Sequence, residues 1–143
     1  MNVPDRIVIQ NDRAPCPIGP YSQAIRAGQF IFVSGQLGLD PKTGELVGPD
    51  AASQTRMILK HLEAILQMAN IGLARVVKTT IFLVDLADFA AVNKIYAEHF
   101  PIEPPARSTI QVVALPKGAR VEIEVLAALP AQSATELSGG LLV

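Results

Sequence analysis

Cysteine, histidine and charge are all scarce in this chain. Of its 143 residues one is cysteine, two are histidine and only 17% are charged, and no apolar run approaches membrane length. A single thiol, Cys16, cannot close an intramolecular disulfide, and His61 and His99 lie far apart without metal-ligand spacing. Disulfide scaffold, zinc finger and redox CxxC readings therefore fall away. Lys and Arg number 12 against 13 Asp and Glu, a net charge of -1, so there is no positive excess to neutralise phosphates. Neither a nucleic acid nor a membrane surface is expected as a partner. The first ten residues carry Asp5 and Arg6 and no apolar signal core, which makes a reducing cytoplasm the expected compartment.

What is present is apolar. Half the residues are hydrophobic and the mean hydropathy is +0.34, while the charged share lies below the roughly 25% of ordinary soluble domains. Some apolar surface is expected to be covered by another subunit. The length fits one compact domain, here residues 1–129. Residues 130–143, PAQSATELSGGLLV, are small and polar until the last three and are expected to form a flexible tail.

Alternating or continuous apolar runs predict strands at about Arg6 to Ile9, Ser22 to Ala27, Phe30 to Ser34, Val76 to Val84, Arg107 to Ala114 and Arg120 to Ala128. Ile58, Leu59, Leu62, Ile65 and Leu66 share a helical face, with Asp50 as N-cap and Gly72 near the exit. A second helix is predicted from Leu86 to Phe100, capped by Asp85 with Asp88 three residues on and striped by Phe89, Val92, Tyr96 and Phe100. This order is that of an α+β fold, six strands with two helices on one sheet face. The strand from Val76 has no clearly polar side, so both sides are expected to be buried, the second by oligomerisation.

Candidate chemistry gathers at the C-terminal strands. Arg107 follows the rigid turn Pro104-Pro105, and a guanidinium held there offers a planar fork that matches a carboxylate; the other reading is a surface arginine or an internal salt bridge. Glu122 and Glu124 share one strand face with Leu126 and Ala128, and either pair with neighbouring cations or orient a water as general base. A hairpin centred near Lys117 would set Arg107 opposite Ala127, roughly 16 Å from Glu122. If both serve one site, the strands are not a simple hairpin or the two groups come from different subunits. Toward the N-terminus, a proline-rich loop can hold Tyr21 over a cleft, and Ser34-Gly35-Gln36 ends a strand where glycine permits close approach or a bulge. Cys16 has no adjacent base, Asp40 to Glu45 reads as a turn, and His61 and His99 read as surface or helix-end histidines.

Whole segments go further. AxxxIGPYSQA at Ala14 to Ala24, FVSGQLGLDPKTGEL at Phe32 to Leu46, VVKTTIFLVDLADFAAVN at Val76 to Asn93 and PARSTIQVVALPKGARVEIEVLAAL at Pro105 to Leu129 resemble the Rid (YjgF) family of reactive-intermediate deaminases. The resemblance implies a chorismate-mutase-like α+β domain with a mixed sheet, a homotrimer with clefts between subunits, and no metal or organic cofactor. It implies hydrolysis of enamine or imine intermediates such as 2-aminoacrylate to 2-keto acids and ammonia. Carried over by position, Arg107 anchors the substrate carboxylate, Glu122 orients water, and Tyr21, Ser34, Gly35 and Asn93 line the cleft. Thr109 stands where relatives often carry cysteine, so a thiol's role is lost and a backbone contact is kept. A ligand-binding regulator or a holdase-type chaperone on the same fold is the alternative expectation.

Overall fold

The computed structural model describes residues 6–131. The expected tail lies almost entirely outside the described residues. Strands β1 (Arg6–Ile9), β2 (Ala24–Ala27), β3 (Phe30–Leu37), β4 (Val76–Leu83), β5 (Ala106–Gln111) and β6 (Val121–Ala128) form one sheet in the order β1-β2-β3-β6-β4-β5. Every neighbouring pair is antiparallel except β4 and β5, so the sheet is mixed. Helices α1 (Ala51–Gln67) and α2 (Phe89–His99) cover one face, the α+β arrangement that the apolar periods predict.

Local chemistry explains the boundaries. The Asp50 carboxylate accepts from Ser53 N at 2.8 Å, which satisfies an orphan donor and starts α1. The exit differs from expectation: Asn70 takes the left-handed conformation at φ 59° and turns the chain, before Gly72. Asp85 caps only a single 3-10 turn, accepting from Ala87 N at 2.9 Å, and α2 begins at Phe89. Asp88 does not complete a capping box. It binds Arg120 at 2.8 Å instead, tying the start of α2 to the start of β6.

The core lies between α1 and the sheet. Ile58, Leu59, Leu62, Ile65 and Leu66 have no exposed surface, and each such side chain contributes about 1.5–3 kcal/mol on burial. Their partners include Ile31, Ile81, Val121 and Ile123. His61 corrects the surface reading: it is 1% exposed, and its Nε2 lies 2.7 Å from the Leu39 carbonyl. Burial holds its pKa below 6.5, the Leu39 carbonyl opposes that, and Lys60 adds to the lowering.

β3 outruns its predicted end at Ser34 and reaches Leu37 through a register shift between Val33 and Gln36. Just beyond it, Gly38 lies against α1 so closely that a Cβ there would meet Gln54 Cα at 2.6 Å and Gln54 O at 2.7 Å. Backbone cannot step aside as a side chain can. Gly38→Ala is expected to destabilise by about 3 kcal/mol, read as a fall in Tm of roughly 10 °C. Gly72→Ala, where nothing stands within 4 Å, should leave Tm near its original value. Equal melting temperatures for the two variants would refute this packing argument.

Among the described residues, nothing covers the opposite sheet face. Phe32 is 50% exposed and Phe30 44%, with Ile110 at 45% on the edge strand. Within the single chain β4 is buried under the helices, at Thr79, Ile81 and Leu83, while Lys78, Thr80 and Phe82 on the other side are half-covered.

Candidate active site

Sheet topology decides where the two charged candidates stand. β5 pairs in parallel with β4 and never touches β6, so the simple hairpin is excluded. Arg107 is level with Thr79 of β4, which is level with Val125 of β6. Thr79 is buried on the helix side and its Oγ1 lies 2.8 Å from the Tyr96 hydroxyl of α2, so Arg107 also faces the helices. Along β6, Val121, Ile123, Val125 and Ala127 are buried on that same side, which turns Glu122 and Glu124 to the open face. Two strand spacings, about 10 Å, and three residues, about 10 Å more, separate Arg107 from Glu122, with the sheet between them.

All the sequence-predicted site residues but Thr109 accordingly fall into two clefts. Tyr21, Ser34, Gly35 and Glu122 line one of about 460 Å³, together with Cys16 and Glu124. Asn93 and Arg107 line another of about 350 Å³ with Tyr96, Phe100 and Pro105. A larger groove of about 640 Å³ beside α1, lined by Arg13, Lys60 and Glu63 among others, contains none of them.

In the first cleft the bulge of β3 sets glycine against an acid. A Cβ on Gly35 would lie 2.6 Å from Glu122 Oε2 and 2.7 Å from its Cδ, so only glycine leaves room for this carboxylate. Burial pushes the Glu122 pKa above 4.5, and the like charge of Glu124 adds to it. No cation pairs with either acid among the described residues. Ser34 Oγ donates to Ser22 O at 2.6 Å and fixes the loop before β2 to β3. The Tyr21 hydroxyl accepts from Ile18 N at 3.3 Å, and its ring is half exposed beside the acid.

In the second cleft the Arg107 guanidinium makes neither a salt bridge nor a hydrogen bond among the described residues. The internal ion pair considered for it is therefore not found there. Thr109, two residues along β5 and on the same side, has its Oγ1 buried without a hydrogen-bond partner. Sequence reasoning missed Phe89 and Tyr96 as neighbours of the arginine. Their rings lie 5.5 and 4.9 Å from its guanidinium carbon. Their spacing on one helix stripe was visible, but the parallel strand that brings Arg107 to that stripe was not.

Known proteins resemble this chain over most of its length. The family model described as Endoribonuclease L-PSP matches residues 11–129. Reactive Intermediate Deaminase A of Arabidopsis thaliana is 51% identical over 122 residues, 85% of this chain and 65% of that protein. The human protein named 2-iminobutanoate/2-iminopropanoate deaminase is 47% identical over 122 residues, 85% of this chain and 89% of that protein. A crystal structure of YyfA from Yersinia pestis, described as a Rid-family protein of unknown function, superposes with a TM-score of 0.84 at 47% identity, covering 87% of this chain and 99% of the other. With the match running through both clefts and strands β2 to β6, the chain belongs to the Rid (YjgF) family, the one that the Endoribonuclease L-PSP model describes.

Proposed function

We propose that the chain is a hydrolytic deaminase of small 2-imino acids and their enamine tautomers, 2-aminoacrylate among them, and that its sites form between subunits of a homotrimer. The observation that carries this reading is the opposite-facing placement of a guanidinium and a half-buried carboxylate, neither of them paired among the described residues. Neither can complete a site alone, and a cyclic assembly brings one protomer's helix-side edge against its neighbour's open face. The exposed Phe30 and Phe32 supply apolar surface for such contact. Relatives named as deaminases at about half identity support the reaction class.

The chemistry asks little of the protein. An iminium carbon is already electrophilic, so fixing the carboxylate, aligning water and moving one proton are enough. Arg107 grips the carboxylate through parallel N–H bonds. Glu122 accepts a proton from the attacking water as the C–O bond forms, giving a carbinolamine. Its raised pKa suits it to return that proton to the nitrogen; the C–N bond then breaks to release ammonia as the carbonyl forms, and the carboxylate takes up the proton that the carbinolamine hydroxyl gives up. No step calls for a metal or organic cofactor.

Two dead variants test the shared site. Arg107→Ala and Glu122→Gln subunits, each inactive alone, should regain activity when co-expressed, in about a quarter of the sites for random mixing in a ring. Absence of any recovery in verified mixed assemblies would exclude a site built by two protomers. A ligand-binding regulator or holdase would instead show no imine hydrolysis by the wild type, with keto-acid binding or suppressed client aggregation as its activity.

A further inference from the structure

Arg107 stands on the edge strand, and no described acid holds it, yet its head is not loose. Its guanidinium carbon is 4.9 Å from the Tyr96 centroid and 5.5 Å from that of Phe89. These residues are seven apart on α2, on one face and two turns apart, roughly 10 Å of rise. Both distances are within cation–π reach of a ring face. The Tyr96 ring is fixed, and the chain at Phe89 is anchored beside it. Tyr96 is buried, its hydroxyl pairs with Thr79 Oγ1 at 2.8 Å, and its ring packs against Phe100 with centroids 4.5 Å apart. Phe89 opens α2 directly after Asp88, which Arg120 anchors at 2.8 Å.

Taking the deaminase reading for the identity of the ligand, we propose that Phe89 and Tyr96 are positioning residues, a two-ring seat that holds the Arg107 guanidinium in place and leaves its N–H groups free for a planar carboxylate. A guanidinium is weakly hydrated over its faces and carries all its donors around its edge. An aromatic ring attracts the cation through its quadrupole and consumes no donor, whereas an acidic partner would compete with the substrate for the same N–H groups. Holding the head in advance also removes part of the rotamer entropy that binding would otherwise cost. Tyr96, kept neutral by burial, leaves the seat without a competing anion.

Phe89 is the position to change, because it is 40% exposed and its replacement should not unfold the protein. The full chain and its Phe89→Leu and Phe89→Tyr variants would be titrated with 2-oxobutanoate by calorimetry, assayed for imine hydrolysis, and observed by NMR at the Arg107 Nε–H, assigned by its loss in Arg107→Lys. The wild-type proton should be shifted by ring currents, and Phe89→Leu should move it toward the solvent value. In that variant binding should weaken about threefold to tenfold, with KM rising by a similar factor and kcat little changed. Phe89→Tyr should restore all three. An unshifted wild-type proton, unchanged affinity in Phe89→Leu, or identical Leu and Tyr variants would each overturn the seat. If the wild type neither binds 2-oxobutanoate nor hydrolyses imines, yet the Arg107 signal is shifted and depends on Phe89, the deaminase reading fails and the seat stands.

Discussion

Arg107→Ala should cost about 2 to 5 kcal/mol of transition-state binding, a loss in kcat/KM of at least about 30-fold. The size follows from what surrounds the side chain. The guanidinium has no acidic partner among the described residues, so its donors are uncommitted until an anion arrives. Removing it leaves the substrate carboxylate desolvated with nothing to replace water. Arg107→Lys should be nearly as damaging, because an ammonium is a point charge that neither forms the parallel pair of bonds nor stacks on an aromatic ring. A coupled assay, in which a dehydratase releases 2-aminoacrylate and its disappearance is followed, reads the effect directly. Full turnover by either variant would end the proposed mechanism.

Glu122→Gln should lower kcat by about 100-fold to 10,000-fold, the range for a lost general base. Its pH behaviour separates this from generic damage. The carboxyl titrates above its ordinary 4.5, first because it is half-buried and second because Glu124 lies beside it on the same strand face. Wild-type kcat should therefore fall as pH drops through that raised value, while Glu124→Gln should move the acid limb to lower pH and Glu122→Gln should abolish it. Stability runs the other way. A carboxyl whose folded pKa is raised holds its proton longer folded than unfolded, so its destabilising effect is absent below 4.5 and grows as pH climbs through the folded value. At neutral pH Glu122→Gln should melt higher than wild type. Lost turnover with a raised Tm cannot come from unfolding, and a lowered Tm would contradict the account of the half-buried carboxylate.

Much of this molecule could be read from residue order because its elements are locally determined. Asp50 and the apolar face from Ile58 to Leu66 specify α1 without reference to the rest of the chain. Period-2 alternation likewise put Glu122 and Glu124 on one face of β6. Neighbours were a different matter. Alternation says which side a residue faces but not which strand lies beside it, so β6 inserting between β3 and β4 was invisible, as was the parallel pairing that carries Arg107 to α2. His61 was misread for the same reason. Its partner is a carbonyl 22 residues earlier, and nothing in the helical period distinguishes a histidine that meets such a group from one that meets water. The predicted partnership of Arg107 and Glu122 rested on family resemblance, and the fold changes its meaning by turning the two groups away from each other.

That back-to-back placement has a consequence for the newly made chain. If the proposed reaction needs both groups, a solitary copy is not a sluggish enzyme but an inert one. Catalysis then begins only when copies meet, so its onset should rise more steeply than in proportion to expression level, and dilution below the assembly threshold should extinguish it without any chain unfolding.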